Sequence, residues 1–436
     1  MSRRFTKVLF EGARVVDPAS GRDEVGDVLV EDGLITGVGE ATPAPGTLGL
    51  ECDGLVLAPG LVDLHTHLRE PGREDAETVE TGSRAAALGG FTAVAAMANT
   101  DPVADNLAVI QEVLLLADKA GLCDVFPVGS ITRGLEGETL SEMGEMAAAG
   151  VRMLSDDGKG IQRARLMRMA LEYAKAFDVI IAEHCEDHSL AEGGQMHEGY
   201  QSSVLGLPGS PGVAEEMMVA RDLQLARLTG GRLHLCHLSS RGSVELVRKA
   251  KSDGVNVTAE VTPHHLSLVD EDLAGYDTNR KVNPPLRGAE DRDALRAGVA
   301  DGAIDAIATD HAPHAVEDKE REFDHAPPGT IGLETALGVI LTELVHPGVI
   351  DLPRAIEAMS TTPARILQAE DHGGPLEPGR PANLVVFDPQ DEWTVEPSRF
   401  ASKSRNSAHL GRTLKGRVVH TMYRGELVVR EGEAAW

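Results

Sequence analysis

The chain of 436 residues is long enough for one large α/β barrel plus a smaller accessory layer, so core size does not limit the fold. Its composition is 42% hydrophobic but only 3% aromatic, which predicts an interior of Ala, Val, Leu and Ile in stacked strand and helix layers. The formal net charge is −28, from 41 Lys and Arg against 69 Asp and Glu, which argues against binding to nucleic acid or to an anionic membrane surface.

The cysteines and the N-terminus predict a cytoplasmic protein. The cysteines are scattered without CxxC spacing, at Cys52, Cys123, Cys185 and Cys236. Cys185 and Cys236 lie in apolar runs typical of strands, so we expect buried free thiols in a reducing compartment. The N-terminal stretch MSRRFTKVLFEG lacks the apolar segment of a signal peptide, and no segment has the roughly 20 apolar residues that a membrane span requires.

Both ends of the chain are rich in short β-type runs. Residues 5–58 contain ARVVD, GDVLVEDGLITGVG and GLVLAPG, separated by Gly and Asp-Gly turns of the kind found in hairpins. The C-terminal part repeats this pattern in ANLVVFDP, EWTVEP and GRVVHTMYRGELVVREG. We therefore predict a small β-sandwich domain built from both termini, residues 1–58 and 370–436, beside a catalytic domain of residues 59–369.

Eight compact apolar runs occupy the middle of the chain. In order they are LVDLHTH, FTAVAAM, DVFPVGS, VRMLSDD, VIIAEHC, LHLCHLSS, VNVTAEVTPHH and IDAIATDH. Stretches of helical period lie between them, such as NLAVIQEVLLLADKAG, RLMRMALEYAKAF and EEMMVARDLQLARLTG. This alternation predicts an α/β fold with a (β/α)8 TIM-type barrel, and a doubly wound open sheet is the alternative.

Polar residues gather at the ends of these runs. They are His65, His67, Asn99, Asp157, His184, His237 and Asp310. Because loops converge at the C-terminal ends of barrel strands, these groups would face one pocket. A lone histidine is more often a core or surface residue than a ligand, but imidazoles and carboxylates at one mouth suit zinc or a similar divalent ion.

The number of histidines bears on how many metals the pocket holds. Four exceed what one catalytic zinc needs while it keeps an open position, so we predict two metals that share a bridging carboxylate. The stretch LSDDGKG supplies that carboxylate after the fourth run. Asp157 is the preferred bridge, although spacing alone leaves Asp156 open.

The chain resembles the amidohydrolase superfamily over essentially its whole length. The motifs DLHTHLREPG, MANT, DDG, AEHCED, CHLSS, TPHHL, NPPLR, ATDHAPH and GLET are similar to those of the bacterial class I dihydroorotases. Members of that family interconvert dihydroorotate and N-carbamoyl-aspartate, the third step of de novo pyrimidine (UMP) biosynthesis. The resemblance implies zinc, two ions per subunit bridged by Asp157 and a hydroxide, with the ligands His65, His67, Asp157, His184, His237 and Asp310.

The same resemblance implies a substrate site. It assigns Asp310 as catalytic base and acid, and substrate contacts to His67, Arg69, Asn99, Asn283, His314, Pro328 and Gly329. Arg69 offers a bidentate fork for the carboxylate of dihydroorotate, which would draw an anion into an acidic protein. Residues 314–330 are charged and poor in apolar side chains, which predicts a long loop over the mouth. Pro328 lacks the backbone N–H that the family uses there.

Two further histidines and two alternative functions depend on single positions of the sequence. His264 and His265 are expected to orient a ligand or to be structural, because the metal set is complete without them.

A dihydropyrimidinase, hydantoinase or allantoinase would bridge its metals with a carboxylated lysine. Here Asp157 is at the matching position, and Lys159 lies two residues after it. A catalytically silent scaffold for aspartate carbamoyltransferase would lack metal ligands, and all six candidates are present. A homodimer is expected, and association with that transferase can accompany activity.

Overall fold

The computed structural model describes residues 6–436; Met1 to Phe5, and with them the start of the predicted N-terminal stretch, lie outside the described residues. The chain is an α/β protein that opens with five strands. They are β1 (Lys7–Asp17), β2 (Arg22–Glu31), β3 (Leu34–Gly39), β4 (Leu48–Glu51) and β5 (Val56–Pro59). Glycine and Asp-Gly turns separate them, as the hairpin pattern of the sequence predicts.

The middle of the chain alternates strands and helices. In order these are β6 (Leu61–Thr66), α1 (Val79–Leu88), β7 (Phe91–Ala96), α2 (Leu107–Ala120), β8 (Asp124–Pro127), α3 (Met143–Ala148), β9 (Met153–Ser155), α4 (Ala164–Ala174), β10 (Ile180–Glu183), α5 (His188–Ala191), β11 (Met196–His197), α6 (Tyr200–Leu205), β12 (Gly209–Ser210), α7 (Val213–Thr229), β13 (Leu233–Leu235), α8 (Arg241–Ser252), β14 (Val257–Val261), α9 (Pro263–Ser267), α10 (Ala289–Asp301) and β15 (Ala306–Ile307). Each of the eight predicted runs contains one strand, so the βα alternation is confirmed.

The C-terminal part supplies further helices and then returns to strands. These elements are α11 (Val316–Lys319), α12 (Ala336–Ile340), α13 (Leu352–Ile356), α14 (Thr362–Leu367), β16 (Leu384–Thr394), β17 (Thr413–Tyr423), β18 (Glu426–Arg430) and β19 (Glu433–Ala434). The strands from both chain ends form one nine-stranded sheet in the order β19-β18-β17-β16-β5-β1-β2-β3, with β4 paired to β1. We call it the terminal sheet.

The inner strands are parallel. β6, β7 and β8 form one sheet, and β9, β10, β13, β14 and β15 form another in that spatial order. Parallel bridges connect their edges, Thr66 to His311 on one side and Gly129 to Leu154 on the other. All six residues of β6 and of β7 are buried, as expected for parallel strands that are covered on both faces.

Helix α2 illustrates how the sequence sets these elements. The Asn106 side chain accepts hydrogen bonds from the first backbone N–H groups of the helix, and the helix ends at Gly121 with φ of 62°. Val109, Ile110 and Val113 recur at helical spacing and are buried against the strands. The predicted helix over residues 106–121 is therefore confirmed together with both of its ends.

Two further sequence expectations concern thiols and membranes. Cys52, Cys123, Cys185 and Cys236 are all buried and unpaired, as predicted. Across residues 6–436, no helix combines the length and the apolar character that crossing a bilayer demands.

A polar junction ties the terminal sheet to the start of β8. The Asp124 carboxylate accepts hydrogen bonds from the Tyr423 hydroxyl and from the Arg424 guanidinium, each at 2.8 Å. The ring of His372 donates to the other Asp124 oxygen at 2.8 Å, and its second nitrogen lies 3.0 Å from the Thr92 hydroxyl. Burial opposes the charged carboxylate, but these donors lower the pKa of Asp124, so it is ionised at neutral pH.

This junction predicts a measurable contribution to stability. Tyr423→Phe should lower the free energy of unfolding by about 1 kcal/mol, because one hydrogen bond to a half-buried carboxylate is lost while the packing is kept. Urea denaturation would measure it, with Tyr200→Phe as the matched control, since the Tyr200 side chain is 79% exposed. An equal loss in both variants would contradict a role for the junction.

Candidate active site

The predicted polar residues meet at the C-terminal ends of the parallel strands. His65 lies in β6 and His67 follows it directly, while the others follow β9, β10, β13 and β15 by one to three residues, at Asp157, His184, His237 and Asp310. All six side chains are buried. The structure thus brings together, in one pocket, the whole set predicted as metal ligands.

The Asp157 carboxylate lies at the centre of the imidazoles. Its Oδ1 is 3.3 Å from Nε2 of both His65 and His237 and 3.6 Å from Nδ1 of His184. Its Oδ2 is 3.5 Å from Nε2 of His67. One carboxylate therefore faces four imidazole nitrogens, the arrangement that a bridging ligand needs.

The neighbouring Asp156 is engaged elsewhere. Its Oδ1 accepts from the backbone N–H groups of Ile131 at 2.7 Å and Thr132 at 2.9 Å. Its Oδ2 accepts from the Thr132 hydroxyl. With its oxygens occupied in this way, Asp156 is a loop anchor, and the geometry favours Asp157 between the two carboxylates that the sequence left open.

The donor set fits a divalent metal ion. Ligand atoms of His65, His67 and Asp310 lie within 4.8 Å of one another, and so do those of His65, Asp157 and His237. Nε2 of His65 is buried without a hydrogen-bond partner. Burial alone would lower the pKa of His184, yet Asp157 and Glu186 raise it to about 10, which reports a strongly negative potential. A cation would satisfy both the orphan nitrogen and that potential.

Left-handed backbone turns side chains into the pocket at the strand ends. Arg69, His237 and Asp310 have φ of 63°, 32° and 47°, which non-glycine residues rarely adopt. Such conformations cost about 1–3 kcal/mol each and persist where the surroundings hold them. Asp63 contributes to this support, because its buried carboxylate accepts from the N–H groups of His65 and Thr309, each at 3.0 Å.

Buried acceptors fix the orientation of the first two imidazoles. Nδ1 of His65 donates to Glu260 at 2.9 Å, and Nδ1 of His67 donates to the Asn99 side-chain oxygen at 2.8 Å. These contacts direct Nε2 of each ring toward the pocket carboxylates, with that of His67 3.1 Å from Asp310, where both nitrogens can bind a metal. The other Glu260 oxygen lies 3.0 Å from His234, and although burial opposes ionisation, His234 and His65 lower the pKa of Glu260 to about 2.

Sequence reasoning missed Glu260. The signal was a carboxylate in the interior of the apolar strand β14, where a charge is costly unless it is paired. Glu260 and Cys236 also form, with His65, a third group of ligand atoms within 4.8 Å of one another. The His65 nitrogen facing Glu260 is already used in their hydrogen bond.

Arg69 is a half-buried cation without a directly paired carboxylate in the described chain. Its Nε donates to the Pro313 carbonyl oxygen at 3.1 Å and, within residues 6–436, its guanidinium forms no ion pair with a carboxylate. Burial lowers its pKa to about 10, so it still carries a full charge at neutral pH. An unpaired guanidinium beside a metal-binding pocket is suited to an anionic group of a ligand.

The remaining predicted contact residues line the same mouth. Nδ2 of Asn283 lies 3.3 Å from the Glu186 carboxylate and 3.4 Å from Nε2 of His184. Burial lowers the pKa of His314 to about 3, so its ring is neutral. Nε2 of His314 donates to the Pro328 carbonyl oxygen at 2.8 Å, which leaves Nδ1 as an acceptor.

Pro328 and Gly329 lie against His314. Pro328 has no N–H, and the Gly329 N–H donates to the Lys281 carbonyl oxygen at 2.8 Å. Gly329 has φ of 138°, and a Cβ there would lie 2.7 Å from the His314 ring. The two residues thus support His314, and their own contact with substrate stays a prediction.

Two histidines after β14 complete the wall. His265 lies 2.8 Å from the Thr262 hydroxyl and donates from Nε2 to the Pro284 carbonyl oxygen at 2.9 Å, which fixes the backbone next to Asn283. His264 is buried beside it with an unpartnered Nε2. A cavity of about 320 Å³, a size suited to a small molecule, opens beside this wall at Glu186, Lys281, Asn283 and Pro328.

Known proteins resemble this chain along its full length. Residues 54–243 match the Dihydro-orotase-like family and residues 255–429 match the Amidohydrolase family. The chain is 51% identical over 425 residues to a dihydroorotase of Pelotomaculum thermopropionicum, covering 98% of this chain and 99% of that protein. It is 52% identical over 430 residues to a dihydroorotase of Streptomyces coelicolor, with 98% and 99% covered.

A solved structure gives the same relation at the level of the fold. The L-hydantoinase (dihydropyrimidinase) of Arthrobacter aurescens superposes with a TM-score of 0.87 at 28% identity, over 99% of this chain and 97% of that one. The identity to the dihydroorotases is far higher over nearly the same span. On that evidence the chain belongs to the dihydroorotase family of the amidohydrolase superfamily.

Proposed function

We propose that the protein is a dihydroorotase, which hydrolyses the cyclic amide of (S)-dihydroorotate to N-carbamoyl-L-aspartate and closes the ring in the reverse direction, the third step of de novo pyrimidine (UMP) biosynthesis. The observation that carries this proposal is the Arg69 guanidinium, which has no ion pair within residues 6–436, beside six buried side chains whose chemistry suits a metal ion. The curated relatives named dihydroorotase support it. Dihydroorotate has both the cyclic amide and the carboxylate that such a pocket requires.

The proposal extends to the metal ions. His65, His67, Asp157, His184, His237 and Asp310 would hold two zinc ions, with Asp157 as the ligand shared by both. The four imidazole nitrogens that face one carboxylate support this assignment. Bound in this pocket, divalent metal supplies Lewis acidity toward the ring carbonyl and a water of lowered pKa.

The chain's own residues move the proton. Burial raises the pKa of Asp310, but His65, His67 and His237 outweigh it and hold that pKa well below its usual range, so Asp310 is an ionised acceptor at neutral pH. Asp310 would take a proton from the attacking water and deliver it to the ring nitrogen as the amide C–N bond breaks. The former carbonyl carbon keeps the oxygen of the water as a carboxyl group, whose remaining proton passes to solvent to leave the carboxylate. Ring closure runs these steps in reverse.

Other residues would hold the substrate in register. Arg69 and Asn283 would contact the carboxylate of the substrate. Asn99 would contact the substrate through its side-chain Nδ2, because only its Oδ1 is bonded to His67. His314 offers Nδ1 to a ring N–H, while Nε2 is held by Pro328. His67, Pro328 and Gly329 complete the proposed contact set.

The architecture proposed for this activity is a closed (β/α)8 barrel, residues 59–369, with a β-sandwich of residues 1–58 and 370–436. Parallel bridges between the edges of the two inner sheets support closure. A homodimer, a cytoplasmic location and association with aspartate carbamoyltransferase stay predictions.

A hydantoinase-type amidase is the second candidate, favoured by the structural similarity to the Arthrobacter aurescens enzyme. Such enzymes usually bridge their metals with a carboxylated lysine. Here Lys159 is exposed, and Asp157 occupies the centre of the imidazoles. A substrate without a carboxylate would also leave Arg69 without a partner, which favours dihydroorotate.

Metal binding gives the first prediction. The zinc-loaded chain should hold about two equivalents of metal. His65→Ala should lose most of both, because His65 belongs to both ligand groups around Asp157 and Asp310. Atomic emission after dialysis would measure the content, with His420→Ala, a buried histidine of the terminal sheet, as control. Full zinc content in the His65 variant would contradict the assigned ligands.

Substrate choice tests the function itself. Ring-opening rates of L-dihydroorotate and dihydrouracil are compared on one zinc-loaded preparation, where dihydroorotate should be strongly preferred. Arg69→Ala should lower kcat/KM for dihydroorotate about 100-fold, since a lost charge-assisted contact costs about 3 kcal/mol. Arg73→Ala is the matched control, because Arg73 is exposed and paired with Asp75 and Asp318. Equal rates on both substrates in the unmodified chain would favour the broader amidase.

The proton carrier has its own test. Asp310→Asn keeps the shape and one oxygen ligand but cannot accept the proton, so kcat should fall by about 1,000-fold or more. Stopped assays of N-carbamoyl-aspartate formation, with zinc content measured in parallel, separate loss of the proton carrier from loss of metal. Retained turnover would remove the role assigned to Asp310.

A further inference from the structure

A segment of the C-terminal part of the chain lies in the wall of the pocket. Residues 402–409, SKSRNSAH, join β16 to β17 of the terminal sheet, and we call them the mouth segment. Ser404 and Asn406 are 3% and 4% exposed, so they are as buried as the proposed metal ligands. None of its residues belongs to the proposed metal ligands or substrate contacts.

Asn406 uses the whole of its amide group on the loop that follows Asp310. Its Oδ1 accepts from the His314 N–H at 3.2 Å. Its Nδ2 donates to the carbonyl oxygens of Ala312 at 3.0 Å and Gly329 at 3.1 Å. The two stretches that carry His314 and Gly329 are thereby held at a fixed separation by one side chain.

Further contacts of the mouth segment act on the same stretches. The Ser404 hydroxyl lies 2.7 Å from the carbonyl oxygens of both His314 and Ala76. The Asn406 carbonyl oxygen accepts from the Ile331 N–H at 3.0 Å. His314 is therefore restrained at its N–H by Asn406 and at its C=O by Ser404.

These restraints act on the hydrogen bond that orients the His314 ring. That bond runs from Nε2 to the Pro328 carbonyl oxygen, so its donor and acceptor lie on the two stretches that Asn406 connects. If the stretches separate, Nε2 loses its acceptor and the ring no longer has one preferred orientation. The contact of Nδ1 with substrate would then be lost.

We propose that Asn406 is a positioning residue, which acts through His314 and Pro328 to present Nδ1 of His314 to the substrate. The inference rests on the proposed function, because it concerns how dihydroorotate is bound. Asn fits this position and Asp does not, since a carboxylate oxygen in place of Nδ2 would face two carbonyl oxygens.

Steady-state kinetics on the zinc-loaded protein test the inference. Asn406→Ala should raise KM for L-dihydroorotate about tenfold with kcat within about threefold, because a binding contact is lost while the proton carrier is kept. Its zinc content should equal that of the unmodified chain. Ser404→Ala, a smaller change, should raise KM in the same direction.

Asn383→Ala is the matched control. Asn383 is also 4% exposed, and its amide bridges the Asp371 carbonyl oxygen and the Arg424 N–H in the terminal sheet. This variant should lose stability but keep KM and kcat, which separates positioning from a general effect of removing a buried amide.

Each outcome is decisive. An unchanged KM in folded, zinc-loaded Asn406→Ala overturns the inference and leaves the proposed function intact, and so does a parallel loss of kcat and zinc. If Asn406→Ala does not fold, Ser404→Ala decides, and an unchanged KM there overturns the inference as well. If the unmodified chain does not open dihydroorotate, the proposed function fails and the inference falls with it.

Discussion

The structure depends on the compensation of one buried carboxylate. Asp157 is buried and surrounded by imidazole nitrogens at 3.3 to 3.6 Å. An isolated charge at this depth would be costly, and the surrounding rings in turn need acceptors such as Glu260 and Asn99. The left-handed backbone at His237 and Asp310 turns both side chains to this point, and the surrounding contacts hold that strain.

An acidic chain can bind the proposed anionic ligand because the attraction at the binding site is local. The net charge of −28 repels anions at long range, but salt screens that field beyond about 8 Å. Within the mouth, the half-buried Arg69 carries a charge that no carboxylate of the described chain pairs with directly. The short-range attraction acts in a medium of low dielectric constant, so it outweighs the screened repulsion once a ligand has reached the loops.

The sequence predicted the elements well wherever one local pattern decides the structure. Apolar runs located all eight inner strands, and their C-terminal ends identified the residues that the structure gathers in the pocket. The sequence could not decide between Asp156 and Asp157 as the bridging residue. That choice depends on which carboxylate accepts hydrogen bonds from the N–H groups of Ile131 and Thr132. Glu260 was missed because its partner His65 lies 195 residues away.

The terminal sheet is tied to both ends of the inner strands, which bears on how the site is maintained. At the amino-terminal ends, Asp124 is bound by Tyr423 and Arg424; at the carboxyl-terminal ends, Asn406 binds the stretches around His314 and Gly329. The first contact comes from β17 and the residue that follows it, and the second comes from the mouth segment that precedes β17. The residues proposed as metal ligands, by contrast, lie in or shortly after the inner strands. The C-terminal part of the chain therefore supports His314 on the substrate side of the pocket, while the inner strands place the proposed metal ligands.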